Sequence, residues 1–177
     1  VEFLFVTRTL TDLDLEEFRE QFDFRVITYV NDKPHFSQGQ ALNVGILNAK
    51  YDSVVVTSPE VRPKTDVLRD FLTLYGKNVV AQVFYLCEDG SVNFSLVHTG
   101  YRADTPSMHF LAMFCKEDLL KINGWDTEFL HSYDDDDFGY RFHAAGIPWE
   151  MRDEIKAEHQ WHPRPIWSEL DNKDQDR

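Results

Sequence analysis

The sequence predicts an α/β fold in which helices flank a central, mixed and mostly parallel sheet. Apolar, β-prone segments alternate with amphipathic segments from the first residue onward. The early strands each run into polar residues at their carboxyl ends. The 177 residues suit one domain with a substantial core, which we place at 1–165, followed by a polar tail over 166–177.

The first half of the chain has the order β-α-β-α-β. Its predicted elements are a strand over 1–6, a helix capped by Asp12 or Asp14 and ending near Phe22, a strand over 24–30, a helix that follows Ser37 and ends near Lys50, and a strand over 52–57. This alternation favours parallel strands, because a helical crossover returns the chain to the same end of the sheet. Ligands of such sheets gather at the carboxyl ends of the strands.

The second half is predicted to continue the alternation with shorter connections. Its elements are a helix over 64–75, a strand over 78–86, a turn over 88–90 that leads into a strand over 91–97, an exposed loop over 100–107, a strand over 109–114, and helices over 116–122 and 134–145. Asn123-Gly124 and Gly146 follow the last two helices, as expected of residues that end a helix.

Composition excludes several classes of partner. With 31 acidic against 18 basic side chains, the net charge of -13 disfavours nucleic acid and anionic lipid surfaces. Cys87 and Cys115 lack the spacing of a zinc site, and no apolar run reaches the ~18 residues of a membrane helix. We expect a cytoplasmic protein without a membrane segment. Because the chain starts on a strand without Met, we also expect a domain cut from a longer protein.

Three polar strand ends are predicted to meet at one edge of the sheet. They are Thr7-Arg8, Asn31-Asp32 and Ser58-Pro59-Glu60. A carboxylate at such an edge can bind a divalent cation, which makes Glu60 a candidate ligand. The alternative is that Ser58-Pro59-Glu60 is only a turn that leads into the helix over 64–75.

An acidic run, Asp134-Asp135-Asp136-Asp137, begins the last predicted helix. One or two acids would satisfy the positive end of a helix dipole, which is the structural alternative. Four adjacent carboxylates repel one another, and a metal ion, a cationic group or an acceptor hydroxyl would offset that repulsion. A carboxylate placed there can also act as a general base.

Two histidines, His159 and His162, follow a predicted strand near the end of the chain. Imidazole is a frequent ligand of transition metals. Because no other His or Cys is near them in the sequence, they could equally be core or surface histidines.

Two segments carry a family resemblance. The more specific is KEDLLKINGWDTEF over 116–129, followed by DDDDF over 134–138 and Arg141; the second is FSQGQALNVGI over 36–46. They resemble the NGFDE…GEDDDL..R block and the RN.G helix of GT-A fold glycosyltransferases, in particular family 2-like enzymes and the galactosyltransferase carboxyl-terminal region. In that family a metal-binding Asp-x-Asp follows the RN.G helix, at the place where this chain has Ser58-Pro59-Glu60.

The resemblance implies a metal site. Glu60 matches the second acid of Asp-x-Asp, which binds the cation (Mn²⁺ or Mg²⁺) that bridges the donor diphosphate. His159 matches the family's late metal-binding His, with His162 as the second choice. Ser58 replaces the first acid, a departure that removes one carboxylate from the nucleotide side of the site.

The resemblance also implies roles for other residues. Asp134 and Asp135 match the family's Glu-Asp pair, so Asp135 is implied as the catalytic base, whereas Asp137 is expected to be a solvated or capping acid. Trp125 is expected either to pack on a sugar or to lie in the core. The residues implied in nucleotide-sugar binding are Thr7, Arg8, Asn31, Asp32, Gln38 (where the family has a basic residue), Asn43, Ser58 and Trp125.

The implied activity is that of an inverting, metal-dependent hexosyltransferase of polysaccharide biosynthesis. It would move a sugar from a nucleotide-diphosphate sugar, with UDP as the expected nucleotide, to a hydroxyl of a glycan or glycoconjugate. A catalytically weak or inactive nucleotide-sugar-binding module of the same fold is the alternative that the Ser58 and Gln38 departures favour. A nucleotidyltransferase would need a glycine-rich loop after the first strand, and a calcium-binding protein an alternating Asp-x-Asp-x-Asp-Gly loop. The sequence has neither.

Overall fold

A computed structural model describes residues 1–7, 20, 24–29, 37–95, 110–129 and 133–163. These residues form the strands β1 (Phe3–Thr7), β2 (Phe24–Thr28), β3 (Ser53–Thr57), β4 (Val61–Pro63), β5 (Val79–Leu86), β6 (Val92–Ser95), β7 (Leu111–Cys115) and β8 (Glu150–His159). They also form the helices α1 (Gln38–Asn48), α2 (Val67–Thr73), α3 (Lys116–Lys121) and α4 (Asp134–Ala144). The predicted helix that starts at Asp12 or Asp14, the loop over 100–107 and the tail over 166–177 lie outside the described residues.

The strands form two sheets. β1 and β2 pair in parallel, and the other six strands form a mixed sheet in the order β3-β7-β5-β8-β4, with β6 on β5. The predicted α/β class with a mixed sheet is confirmed. The larger sheet is not mostly parallel, however, since β5–β8 is its one parallel pair among the described strands. The reason is that β7 inserts between β3 and β5 and runs antiparallel to both, while β4 and β6 pair antiparallel with β8 and β5.

Both faces of the larger sheet are buried. Val80 of β5 and Phe114 of β7 pack with residues of α1, α3 and α4, whereas their neighbours Val79 and Met113 pack with residues of α2. This alternation follows from the two-residue period of a strand, which points successive side chains to opposite faces. The sheet is therefore the middle of three layers, with α1, α3 and α4 on one side and α2 on the other.

The strand β8 contains an irregularity that sets the position of its carboxyl end. Ala81 pairs with Arg152, but the next residue of β5, Gln82, pairs with Lys156, so the three residues over 153–155 are extra in β8. Because successive side chains of a strand alternate between the two faces, an odd number of extra residues moves each later side chain of β8 to the opposite face of the sheet. As a result His159, and not Lys156, lies opposite Tyr85.

The helix α1 begins at the predicted cap. Ser37 is fully buried, and its hydroxyl oxygen accepts a hydrogen bond from the Gln40 amide at 3.3 Å. Among the described helices, none combines the length and the apolar composition that a membrane span requires.

Candidate active site

Ser58 and Glu60 occupy the tight turn between β3 and β4. The Val61 amide donates to the Ser58 carbonyl at 3.1 Å, and the buried Ser58 hydroxyl donates a short hydrogen bond to the Glu60 carboxylate. The predicted turn is therefore present, but it leads into the three-residue strand β4 rather than directly into a helix. Because the Gln160 amide donates to the Glu60 carbonyl at 2.9 Å, this turn is held beside the end of β8.

The His159 ring is enclosed by aromatic groups at the end of β8. Only 5% of the residue is exposed. Its ring stacks on Tyr85 with 4.6 Å between centroids and 12° between planes, and Phe110 meets it edge-on at 5.6 Å. Burial lowers the pKa of His159, while the nearby Glu60 carboxylate opposes that shift without cancelling it. A lowered pKa favours the neutral imidazole near neutral pH, and the neutral imidazole is the form that binds metals.

The second histidine lies against the first. The His162 and His159 ring centroids are 5.4 Å apart, and the His159 Nδ1 atom is buried without a hydrogen-bond partner among the described residues. Val61, next to Glu60, pairs with His159 across β4 and β8. The predicted metal ligands Glu60, His159 and His162 thus come together at one edge of the sheet, with Ser58, a predicted nucleotide-sugar residue, beside them.

This donor set fits a divalent cation only in part. An orphaned buried imidazole nitrogen beside a carboxylate is chemistry that a cation would satisfy. Among the residues described, however, no group of three or more His, Cys, Asp or Glu side chains is arranged to hold a metal ion. Oxygen atoms of a bound diphosphate would be needed to complete the coordination.

The four acids over 134–137 form the first turn of α4, as predicted, and all four are half-buried. The residue before them, Tyr133, has left-handed backbone (φ 66°) and makes no capping hydrogen bond with its side chain. The acids therefore provide the negative charge at the positive end of this helix. This position is compatible with both the structural and the catalytic interpretation of Asp134 and Asp135.

The expectation for Asp137 is wrong. Its carboxylate accepts a hydrogen bond from Arg141 Nε at 2.7 Å, one helical turn further along. Arg141 Nη1 in turn donates to the carbonyls of Ile122 and Gly124 at 2.8 and 2.7 Å. Asp137 is thus neither solvated nor a simple cap, because it orients an arginine that joins α4 to the turn after α3.

Trp125 lies in the core, the second of the two expected positions. It is 1% exposed, and its ring stacks on Phe138 of α4 at 3.8 Å with 6° between planes. The Asn43 side chain donates to the Trp125 carbonyl at 2.7 Å and accepts from its amide at 2.9 Å. Both residues therefore contribute to the packing and hydrogen bonding of this turn, and the nucleotide-sugar role predicted for them stays a prediction.

Comparison with known proteins supports the fold. No protein-family model matches the sequence, and no curated protein matches it. Among solved structures, S. aureus TarS in complex with UDP-GlcNAc superposes with a TM-score of 0.74 at 13% identity, covering 99% of this chain and 54% of that one. The catalytic domain of Drosophila β1,4-galactosyltransferase 7 in complex with xylobiose gives 0.57 at 17% identity, with 97% and 81% covered.

A third similar structure is mannosyltransferase PcManGT from Pyrobaculum calidifontis in complex with GDP-Man and Mn²⁺. It gives a TM-score of 0.64 at 16% identity, and 94% of this chain and 50% of that chain are covered. The chain has the GT-A fold. It spans about half the length of the TarS and PcManGT chains.

Two further residues of the predicted nucleotide site, Thr7 and Gln38, are among the described residues. Thr7 ends β1 and pairs with Thr28 at the end of the parallel strand β2, so both strands end at the same edge of the smaller sheet. Gln38 is the first residue of α1 and is half-buried. Arg8, Asn31 and Asp32 lie outside the described residues.

Sequence reasoning missed two groups that shape the site of this GT-A domain. Tyr85 and Phe110, which enclose His159, were predicted only as residues of the strands over 78–86 and 109–114, and nothing in their local sequence shows which residue they face. The Asp137–Arg141 pair could have been found, because an acid and an arginine four residues apart share one side of a helix.

Proposed function

We propose that this chain is a glycosyltransferase that moves a hexose from a nucleotide-diphosphate sugar, with UDP as the nucleotide, to a hydroxyl of a glycan or glycoconjugate in polysaccharide biosynthesis. The observation that supports it most is the meeting of Ser58, Glu60, His159 and His162 at one sheet edge of a GT-A fold. Similar structures hold UDP-GlcNAc or GDP-Man with Mn²⁺. These likenesses support the fold, and the activity is our inference from the site.

The donor diphosphate would bind beside Glu60 and His159. A divalent cation, Mn²⁺ or Mg²⁺, would supply positive charge for the departing diphosphate when bound there. The Ser58 hydroxyl, in the position of the missing acid, holds the Glu60 carboxylate in one orientation. With a neutral hydroxyl in place of a carboxylate, cation binding should depend strongly on the nucleotide.

Asp135 would act as the general base, with Asp134 beside it. Its carboxylate would take the proton of the acceptor hydroxyl as the oxygen bonds to the anomeric carbon and the bond to the nucleoside diphosphate breaks. Attack from the side opposite the leaving group inverts the anomeric configuration. The half-buried start of α4 provides a fixed position for this carboxylate.

Titration calorimetry with UDP tests the donor site. We expect UDP to bind much more tightly with Mn²⁺ than with a chelator, because Glu60 and His159 are too few ligands to hold the ion alone. Glu60→Gln should abolish most of that difference. Glu88→Gln, an exposed acid on the β5–β6 turn, is the matched control and should bind UDP as the wild type does. Equal UDP affinity with Mn²⁺ and with chelator would contradict the metal assignment.

A transfer assay tests the activity. A panel of nucleotide sugars is first screened by thermal shift with Mn²⁺, where a ligand at a hundredfold excess over its Kd adds about 2.7 kcal/mol of stability. The donors that stabilise the protein are then offered with glycan acceptors. Release of nucleoside diphosphate that depends on the acceptor would support the proposal that this chain is a glycosyltransferase.

A nucleotide-sugar-binding module is the second candidate. It is favoured by two features of the site, the neutral Ser58 in place of an acid and the neutral Gln38 in place of a basic residue. A donor that binds tightly and is neither transferred nor hydrolysed would support this function instead.

A further inference from the structure

The His159 ring is held by aromatic contacts, while one of its nitrogens makes no hydrogen bond among the described residues. A buried imidazole is usually kept by hydrogen bonds to both nitrogens, yet Nδ1 has no partner among the described residues. An unsatisfied buried polar atom costs about 1–3 kcal/mol. The two aromatic rings instead fix the orientation of the imidazole, because Tyr85 stacks on its face and Phe110 meets it edge-on.

The stack follows from strand register and is therefore built into the sheet. Tyr85 and His159 are paired residues of the parallel strands β5 and β8, so their side chains leave the sheet on the same face. The three extra residues over 153–155 create this pairing, because an uninterrupted β8 would place Lys156 opposite Tyr85. Bulges of this kind commonly re-aim a side chain next to a functional site.

We propose that Tyr85 is a positioning residue whose ring holds the His159 imidazole in the orientation in which it binds the divalent cation. The inference rests on the proposed function, since it needs the cation site. A free imidazole must give up its side-chain rotation when it binds, whereas a ring already fixed by stacking has little left to lose. Groups that orient a metal ligand typically contribute a factor of about 10–100 to metal affinity.

The test measures Mn²⁺ affinity in the presence of saturating UDP, by the loss of the electron paramagnetic resonance signal of free Mn²⁺. Tyr85→Leu should weaken Mn²⁺ binding by about tenfold or more, because leucine fills space without a flat ring to stack. Tyr85→Phe should bind Mn²⁺ as the wild type does, since it keeps the ring. Tyr75→Leu, which changes a 55% exposed tyrosine after α2, is the matched control and should have no effect.

His159→Ala separates this inference from the proposed function. If His159→Ala weakens Mn²⁺ binding while Tyr85→Leu does not, the positioning role is overturned and the metal site stands. If His159→Ala leaves Mn²⁺ binding unchanged, both are overturned. A loss in Tyr85→Phe equal to that in Tyr85→Leu would also overturn the role of the ring.

A second measurement on the wild-type protein does not depend on any variant folding. The His159 ring protons should resonate upfield of ordinary histidine positions, because they lie over the Tyr85 ring at 4.6 Å between centroids. Addition of Mn²⁺ with UDP should broaden these resonances more strongly than those of the exposed His143 in α4. His159 resonances without the upfield shift, or without the broadening, would overturn the proposal.

Discussion

Asn43 of α1 holds the backbone of Trp125 at both of its polar atoms, 82 positions further along the chain. One amide side chain thereby fixes the turn that follows α3 against α1. The same turn is held from α4 by Arg141, so three helices meet at it. The position of the acidic run at the start of α4 is tied to this junction through Asp137.

The junction predicts an unequal response of two glycines. Gly124 (φ 65°) and Gly146 (φ 66°) both have left-handed backbone, so alanine strains either position alike. A methyl group at Gly124 would also clash with the Asn43 side-chain oxygen, whereas at Gly146 it would meet nothing within 4 Å. We expect Gly124→Ala to lower the free energy of unfolding by about 1–3 kcal/mol more than Gly146→Ala does. Urea denaturation measures both, and equal losses would contradict the packing of this turn.

Arg141 should matter for stability well beyond an ordinary surface arginine. Arg141→Met removes its bonds to Asp137, Ile122 and Gly124 and leaves half-buried acceptors unpaired, which should cost about 2–4 kcal/mol. The matched change Arg69→Met removes an ion pair whose arginine side chain is 78% exposed, and it should cost less than about 1 kcal/mol. Thermal and urea denaturation compare the two. Similar losses in the two variants would mean that the Arg141 bonds add little.

Asp135→Asn should separate catalysis from folding. Asparagine is nearly the same shape and cannot accept the proton, so sugar transfer should fall by roughly a hundredfold or more while donor affinity and melting temperature are kept. Asp136→Asn is the matched control. Asp137→Asn is not suitable as a control, because Asp137 binds Arg141 and loss of that contact would disturb the fold. If Asp135→Asn transfers sugar like the wild type, Asp135 is not the base.

The stability that the ion pairs between β4 and β8 contribute should depend on pH. Arg62 and Lys64, at 2.8 and 3.0 Å, lower the pKa of Glu158 below its usual value of 4.5. An acid with a lowered pKa in the folded state stabilises the fold above its unfolded pKa, and this contribution is lost as pH falls from about 4.5 through the folded value. Wild type should therefore melt about 1–3 °C above Glu158→Gln at pH 7, with the gap closing in acid.

Glu154→Gln controls for the loss of one negative charge on the same strand. Its side chain is 65% exposed and reaches Arg152 only at 3.5 Å, so its melting temperature should follow that of the wild type. A melting-temperature difference between wild type and Glu158→Gln that stays constant from pH 7 to acid would contradict this prediction. It would mean that the ion pairs of Glu158 with Arg62 and Lys64 do not stabilise the fold.

Local signals predicted most of the elements. The cap at Ser37, the stop at Asn123-Gly124 and the acidic first turn of α4 are features of short segments, and the structure has them where the sequence indicates. β4 was missed because three residues ending in Pro63 resemble a turn, and only pairing with β8 makes them a strand. The antiparallel majority of the larger sheet was missed for the same reason, since pairing with β7 is a property of the whole fold.

The candidate site shows the same division. The residues with the chemistry, Glu60 and His159, could be picked out by type and by resemblance. Their surroundings could not, because Tyr85 reaches His159 only through a register that three extra residues determine. The buried position of Trp125 likewise depends on contacts with α1 and α4 that no local pattern encodes.

The irregularity in β8 has a consequence for the search for distant relatives of this chain. A bulge longer or shorter by two residues would leave the histidine on the same face, so the number of residues between Glu60 and that histidine could differ between chains that keep the same site. A sequence pattern with a fixed gap would overlook such chains. Alignments anchored on the partner of Tyr85 in the neighbouring strand would retrieve them.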